Sequence, residues 1–207
     1  MSAGGTLPDT PKFREVSIKS VNPSIVTLSS SGRRQVKTQN AQFWAFTATY
    51  PPLKRAEWAP IAAFIQQQRG SRFAFNVKIP EYSDTLGAVT TETLLVNGAH
   101  TAGDTSITLS SGSINTTGAL KAGDFVSFAV GGVADHNKVY MVTSDVDFSS
   151  GAATMNIEPG LQIAMSGGEN VVYNNVTWKV FLTEQDQTWN MGLASTVGYE
   201  LSFREAL

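Results

Sequence analysis

FWAFTATYPPLKRAEWAPIAAFIQQQRGSRFAFNV, residues 43–77, holds both periodicities that decide this fold. Trp44, Phe46, Ala48 and Tyr50 alternate with smaller or more polar residues, so they share one face of an extended strand. Pro51-Pro52 ends that strand, because neither residue can donate to a ladder. The period then changes. Trp58, Ile61, Ala62 and Ile65 fall at i, i+3, i+4 and i+7, with Leu53 and Phe64 at the margins of the stripe. Lys54, Arg55, Glu57, Gln66, Gln67 and Arg69 lie mostly away from it. This spacing predicts a helix over about residues 53–69, stopped by Gly70. Pro60 leaves two arrangements open: a helix kinked there, or a first turn followed by a main helix with Pro60 near its first position. Past Gly70 the period returns to two. Phe73, Phe75, Val77 and Ile79 alternate with Arg72, Ala74, Asn76 and Lys78. A helix with one apolar stripe covers a sheet, and these strands supply one.

The carboxy-terminal part repeats the strand pattern twice. In NVTWKVFLTEQD (175–186), Val176, Trp178, Val180 and Leu182 share a face, and in GYELSFREAL (198–207) Tyr199, Leu201 and Phe203 do. Residues 80–175 separate this apolar material from Ile79, whereas connections within one core are usually short. An inserted domain accounts for the gap. Its candidate strands are TETLLVNG, TSITLSSG, DFVSFAV, KVYMVTSDV, AATMNIEP and ENVVYN, punctuated by Gly-Asp, Gly-Gly, Ser-Gly and Pro-Gly turns. So many short strands in so little chain suggest a small closed barrel of OB or SH3-like kind, since closure removes exposed edges. The expected fold is mainly β: a sandwich from residues 1–87 plus 171–207 with one flanking helix, interrupted by a barrel at 88–170. Residues 1–11, small and Pro-punctuated, are expected to form an arm that needs a neighbour to order it.

Composition narrows the function. The chain has 207 residues, 42% hydrophobic and 15% charged, and no cysteine, which excludes disulfides and thiolate chemistry. The stretch MSAGGTLPDTPKF has no apolar core and no apolar run approaches a membrane span, so neither signal peptide nor membrane insertion is expected. The net charge of −2 conceals segregation: residues 1–87 carry +6, residues 88–170 carry −6 and residues 171–207 carry −2. Nucleic-acid binding is one reading of the basic part. The scattered positives, with Arg33-Arg34 the tightest cluster outside the helix, favour complementary contact between subunits or modules.

Catalytic constellations are absent. His100 and His136 sit in turn-like contexts, and Asp135-His136 and Asp145-Val146-Asp147 lack the ligand number or spacing of a hydrolytic or metal cluster. There is no nucleophile elbow, P-loop or dinucleotide fingerprint. We therefore expect no catalytic, cofactor or metal residues, and no enzyme. Trp44, Trp58 and Trp178 lie on the core stripes, while Trp189, in QTWNMG, is the one placed for exposure at an interface.

The run FWAFTATYPPL through AEWAPIAAFIQQQRGSRFAFNV, the closing YELSFREAL, and GALKAGDFVSFAV…KVYMVT…MNIEPGL within the insertion resemble the distal tail proteins of long-tailed (siphovirus-like) bacteriophages, which are related in fold to tail-tube proteins. The resemblance covers most of residues 13–207 and is diffuse, with no short diagnostic motif. It implies a tail-tube-like sandwich that builds a ring, usually hexameric, at the lower end of the tail tube. It further implies contacts with the tail-tube protein, the tail-tip hub and tail fibres, a channel through which DNA passes in transit, and residence in the virion tail tip after synthesis in the bacterial cytoplasm. The competing readings are a tail-tube or other minor tail protein and, from another class, a carbohydrate-binding module using the inserted barrel and Trp189.

Overall fold

A computed structural model describes residues 4–38, 41–112, 114–130, 133–134, 137–192 and 196–207. The chain opens with β1 (Glu15–Val21), a ribbon of β2 (Ser24–Leu28) and β3 (Arg34–Thr38), β4 (Phe43–Thr49) and the short β5 (Leu53–Lys54). Helix α1 (Arg55–Gln68) and β6 (Phe75–Lys78) follow. Next come β7 (Leu95–Val96), β8 (Ser106–Ser110), β9 (Thr116–Leu120), β10 (Phe125–Val130), β11 (Val133–Ala134), β12 (Tyr140–Val142), β13 (Val146–Phe148), β14 (Ala152–Glu158) and β15 (Asn170–Val172). The chain closes with β16 (Thr177–Leu182), β17 (Asn190–Met191), β18 (Thr196–Gly198) and β19 (Glu200–Glu205).

The framework is a five-stranded antiparallel sheet in the order β1-β4-β19-β16-β6. Its register sets Ala48 opposite Leu201 and Phe46 opposite Phe203, so the alternating stripes of the sequence merge into one apolar face. Trp44, Phe46, Phe75, Val77, Trp178, Val180, Leu201 and Phe203 are all buried there. Two elements cover this face at one end: α1 and a small sheet of order β17-β18-β5, whose Val197 and Leu53 join the same core. The protein is thus mainly β, a sandwich with one flanking helix.

Helix α1 forms as its stripe demands, with Trp58, Ile61 and Ile65 buried. The Glu57 carboxylate accepts from the Lys54 backbone N–H at 2.9 Å, capping the first turn. Arg69 ends the helix in the left-handed region (φ 54°), its N–H donating to the Gln66 carbonyl, and Gly70 continues there (φ 66°). The split arrangement does not hold for Pro60: one continuous helix begins five residues before it, at Arg55. Pro60 and Ala56 both lie on the exposed side, where water can serve the carbonyl that proline leaves without a donor.

The insertion is a closed barrel. Its six strands run β10-β12-β14-β8-β7-β15, and β15 returns to pair with β10. These coincide with the six segments anticipated from the sequence. Ile107, Leu109, Val126, Phe128, Tyr140, Val142, Met155 and Ile157 fill its interior. A separate pair, β9 with β13, lays Ala119, Leu120, Val146 and Phe148 against the same core. One expected boundary shifts: β15 crosses residue 170, and Val171 and Tyr173 pack in the barrel, so its last strand extends past the point where the sequence reading ended it. The two connections to the sheet run side by side, Val176 N–H donating to Ser83 carbonyl at 2.8 Å and Asn174 Nδ2 to Thr90 carbonyl at 2.9 Å.

The barrel also packs on the sheet. Phe125 sits edge-on to Trp44 (5.2 Å) and Trp178 (5.3 Å), covering the end of the apolar face that α1 leaves open. From residue 5 onward the amino-terminal arm is held by its own chain. Thr6 bridges Asn76 in parallel, Leu7 N–H donates to the Asn76 carbonyl at 2.8 Å, and the Leu7 side chain is buried in the core.

Candidate assembly surfaces

Of the residues weighed as chemistry, Asp145 precedes β13, Asp147 lies within it rather than in a turn, and His100 bridges Met165. Asp145 pairs with Lys121 at 2.6 Å and accepts from the Ala122 N–H at 3.0 Å, while Asp147 accepts from the Gly118 N–H at 2.6 Å. The Lys121 hydrogen bond holds the Asp145 carboxyl below its ordinary range, and Asp145 in turn raises Lys121. The His100 ring lies 3.0 Å from Thr108 Oγ1, on β8, and 3.8 Å from Asp104, in the turn before that strand. Asp135 and His136 lie outside the described residues. Among the described residues no group of three or more His, Asp or Glu is arranged to hold a metal ion. Three tryptophans are buried, and Trp189 is 41% exposed with its ring 6.3 Å from that of Trp58.

What the surface does present is unfinished β-structure. Val21 pairs with Phe43 at the end of the β1–β4 ladder; beyond it, β2 and β3 pair from Ser24–Thr38 to Leu28–Arg34 as a two-stranded ribbon. A turn through Ser29–Arg33, with Gly32 at φ 76°, closes it. The pairing places Val26, Leu28 and Val36 on one face, and they are 50%, 70% and 46% exposed. The other face carries Thr27, Gln35 and Lys37 with Ile25. An isolated two-stranded ribbon is marginal in water, and this one carries on the face it shares with Arg34, opposite Leu28, an apolar strip with nothing of its own chain against it among the described residues.

The outward face of the five-stranded sheet adjoins the ribbon. The Arg204 guanidinium lies between the rings of Phe43 (5.4 Å) and Phe181 (4.6 Å). Ala45, Thr47 and Ser202, short and half-buried, keep the rest of that face flat. The outer edge of β1 is unpaired among the described residues, whereas the arm occupies the outer edge of β6.

No ribbon is expected from the pattern of residues 24–38. The available signal was SIVTL, a β-branched run followed by a Ser/Gly turn. No protein-family model matches the chain, and no curated protein matches it in sequence.

Proposed function

We propose that this chain is a structural protein of a bacteriophage tail tip. In this reading it assembles into a hexameric ring that joins the tail tube to the tail-tip hub and leaves a channel for DNA. The reading draws on the sequence resemblance, and the observation that carries it is the ribbon. Val26, Leu28 and Val36 form an apolar strip that the monomer leaves in water, next to a flat, half-exposed sheet face. A neighbouring copy covers such a strip at low cost, because the ribbon is already ordered by the β1–β4 ladder at its base. The charge segregation, +6 before residue 88 and −6 to residue 170, then sets orientation more than affinity, since screening is nearly complete beyond about 8 Å at physiological salt.

Light scattering and negative-stain microscopy of the purified protein test the proposal. Closed rings of six 22.2 kDa chains are expected, modestly weakened by salt. Val26→Glu combined with Val36→Glu should return monomers with unchanged circular dichroism. A wild-type chain that stays monomeric at high concentration and forms no ring on a tail tube would refute it.

A further inference from the structure

We propose that the ribbon of β2 and β3 docks on a second copy of this chain, against the surface at the α1 end of the sheet that carries Trp189 and Met191. The contact rests on the assembly proposed above and names the two faces that meet in it. The ribbon side is apolar and basic. Val26, Leu28 and Val36 share their face with Arg34, which stands opposite Leu28. Residues 22–38 hold Arg33, Arg34 and Lys37 and no carboxylate, a charge of +3. The ion pairs among the described residues involve none of these three.

The surface around Trp189 is the complement. Trp189 is 41% exposed and Met191 69%, beside an open groove lined by Glu184 and Glu200. Residues 183–200 hold Glu184, Asp186 and Glu200 and no lysine or arginine, a charge of −3. Arg14 reaches the same groove and Lys54 lies across β18, so the patch is acidic on balance rather than throughout. The Trp189 ring is backed by that of Trp58, 6.3 Å away and buried in the core. An indole held from behind and open in front is a ready anchor for an apolar strip that carries an arginine.

The two surfaces cannot meet within one chain. The ribbon follows the end of the β1–β4 ladder where Val21 pairs with Phe43, and the groove lies at the other end, where Thr49 pairs with Glu15 and Glu200. The seven residues of β4 hold these ends about 20 Å apart. Ribbon against ribbon would oppose like charges. Unlike surfaces of opposite charge at opposite ends of one sheet fit a head-to-tail contact between copies. In it Leu28 and Val36 pack on Trp189 and Met191 of the next copy, and Arg34 faces Glu184.

The chain has no cysteine, so introduced cysteines report the contact directly. Leu28→Cys and Met191→Cys are made as separate proteins, mixed at high concentration and mildly oxidised. The mixture should give a two-chain band on a denaturing gel that neither variant gives alone. Arg34→Glu and Glu184→Arg should each raise the concentration needed for assembly about tenfold, and both together in one chain should bring it back to within about threefold of wild type. All four positions are exposed, so none of these changes disturbs the core. No band from the mixture, an equal band from either variant alone, or no recovery in the double reversal each overturns the contact. Wild-type rings seen alongside any of these results leave the ring reading standing, which separates the two failures.

Discussion

Lys138, from the barrel, and Glu205, from the last strand of the sheet, form an ion pair in which both side chains are almost completely buried. Lys138 Nζ also donates to Gln42 Oε1 at 2.7 Å, and Glu205 accepts from the backbone N–H groups of Trp44 (3.1 Å) and Val139 (2.8 Å). The Trp44 indole donates to the Val139 carbonyl at 2.8 Å, so one polar cluster ties barrel to sheet within an apolar seam. Burial pushes Lys138 down and Glu205 up, each opposed by the other's charge.

Breaking this pair from one side should be costly. Glu205→Ala leaves a buried ammonium with only Gln42 Oε1 to accept from it, and two buried amides without an acceptor, and a loss of about 3–5 kcal/mol in chemical denaturation is expected. Lys138→Met leaves the carboxyl buried, and that variant should depend on pH. A carboxyl whose folded pKa lies above its unfolded value stabilises the fold below the unfolded pKa, and that stability is lost as pH rises through the folded pKa. Removing Lys138 removes a cause that lowers Glu205, so the deficit relative to wild type should be smaller near pH 5 than near pH 8. An equal deficit at both pH values would show that Glu205 is not the titrating group.

Excising the barrel tests the seam differently. The sequence alone suggests a removable insertion, and the adjacent connections at Ser83 and Val176 make a short linker feasible. Yet Phe125 and Val139 belong to the core of the sheet, and removing them uncovers Trp44 and Trp178. A chain with residues 88–174 replaced by a Gly/Ser linker should bind a hydrophobic dye and unfold at lower temperature than the intact protein. Retained cooperativity without dye binding would mean that the seam adds little.

The helix stripe has a simpler expectation. Ile61 and Ile65 are 0% and 1% exposed, so truncating either to alanine should cost about 2–5 kcal/mol. Arg55→Ala, on the exposed face, should fall within about 0.5 kcal/mol of wild type. Denaturant midpoints compare the three directly.

Gly87 offers a backbone test at the start of the insertion. A methyl group there would stand 2.0 Å from the Ala119 carbonyl oxygen, a backbone atom that cannot swing aside. Gly87→Ala should therefore destabilise the barrel by at least about 1–3 kcal/mol, the usual cost of overpacking. Gly198→Ala meets nothing within 4 Å and serves as the neutral comparison.

The parts legible in the sequence are those where one face is dry. Trp44 to Tyr50 and Val176 to Leu182 alternate cleanly because each strand has a single buried side, and α1 shows its stripe for the same reason. Six barrel strands were readable between their turn residues. The lid strand β9, TTGAL, was not, because Gly118 at φ 62° interrupts its pattern and its burial comes from one end only. Glu205 continues the inward face of Tyr199, Leu201 and Phe203, but a carboxylate at the end of a strand reads as solvated until its partner, 67 residues away in sequence, is known. The ribbon was hidden for the opposite reason: its apolar residues are exposed, and no periodicity distinguishes a side chain awaiting a partner from one already in a core.

The arm gives the molecule a direction. By occupying the outer edge of β6, residues 5–7 cap one flank of the sheet, while the opposite flank ends in the edge of β1, bare among the described residues, and the ribbon that springs from it. Head-to-tail addition of strands from copy to copy is thereby blocked, since a strand offered by one copy meets a flank already filled on the next. An open-ended β-filament is ruled out by the same contact that steadies the fold. In the ring proposed above, contact between copies would then join the ribbon to a different kind of surface, a heterologous arrangement that closes on itself when the rotation per subunit divides the circle.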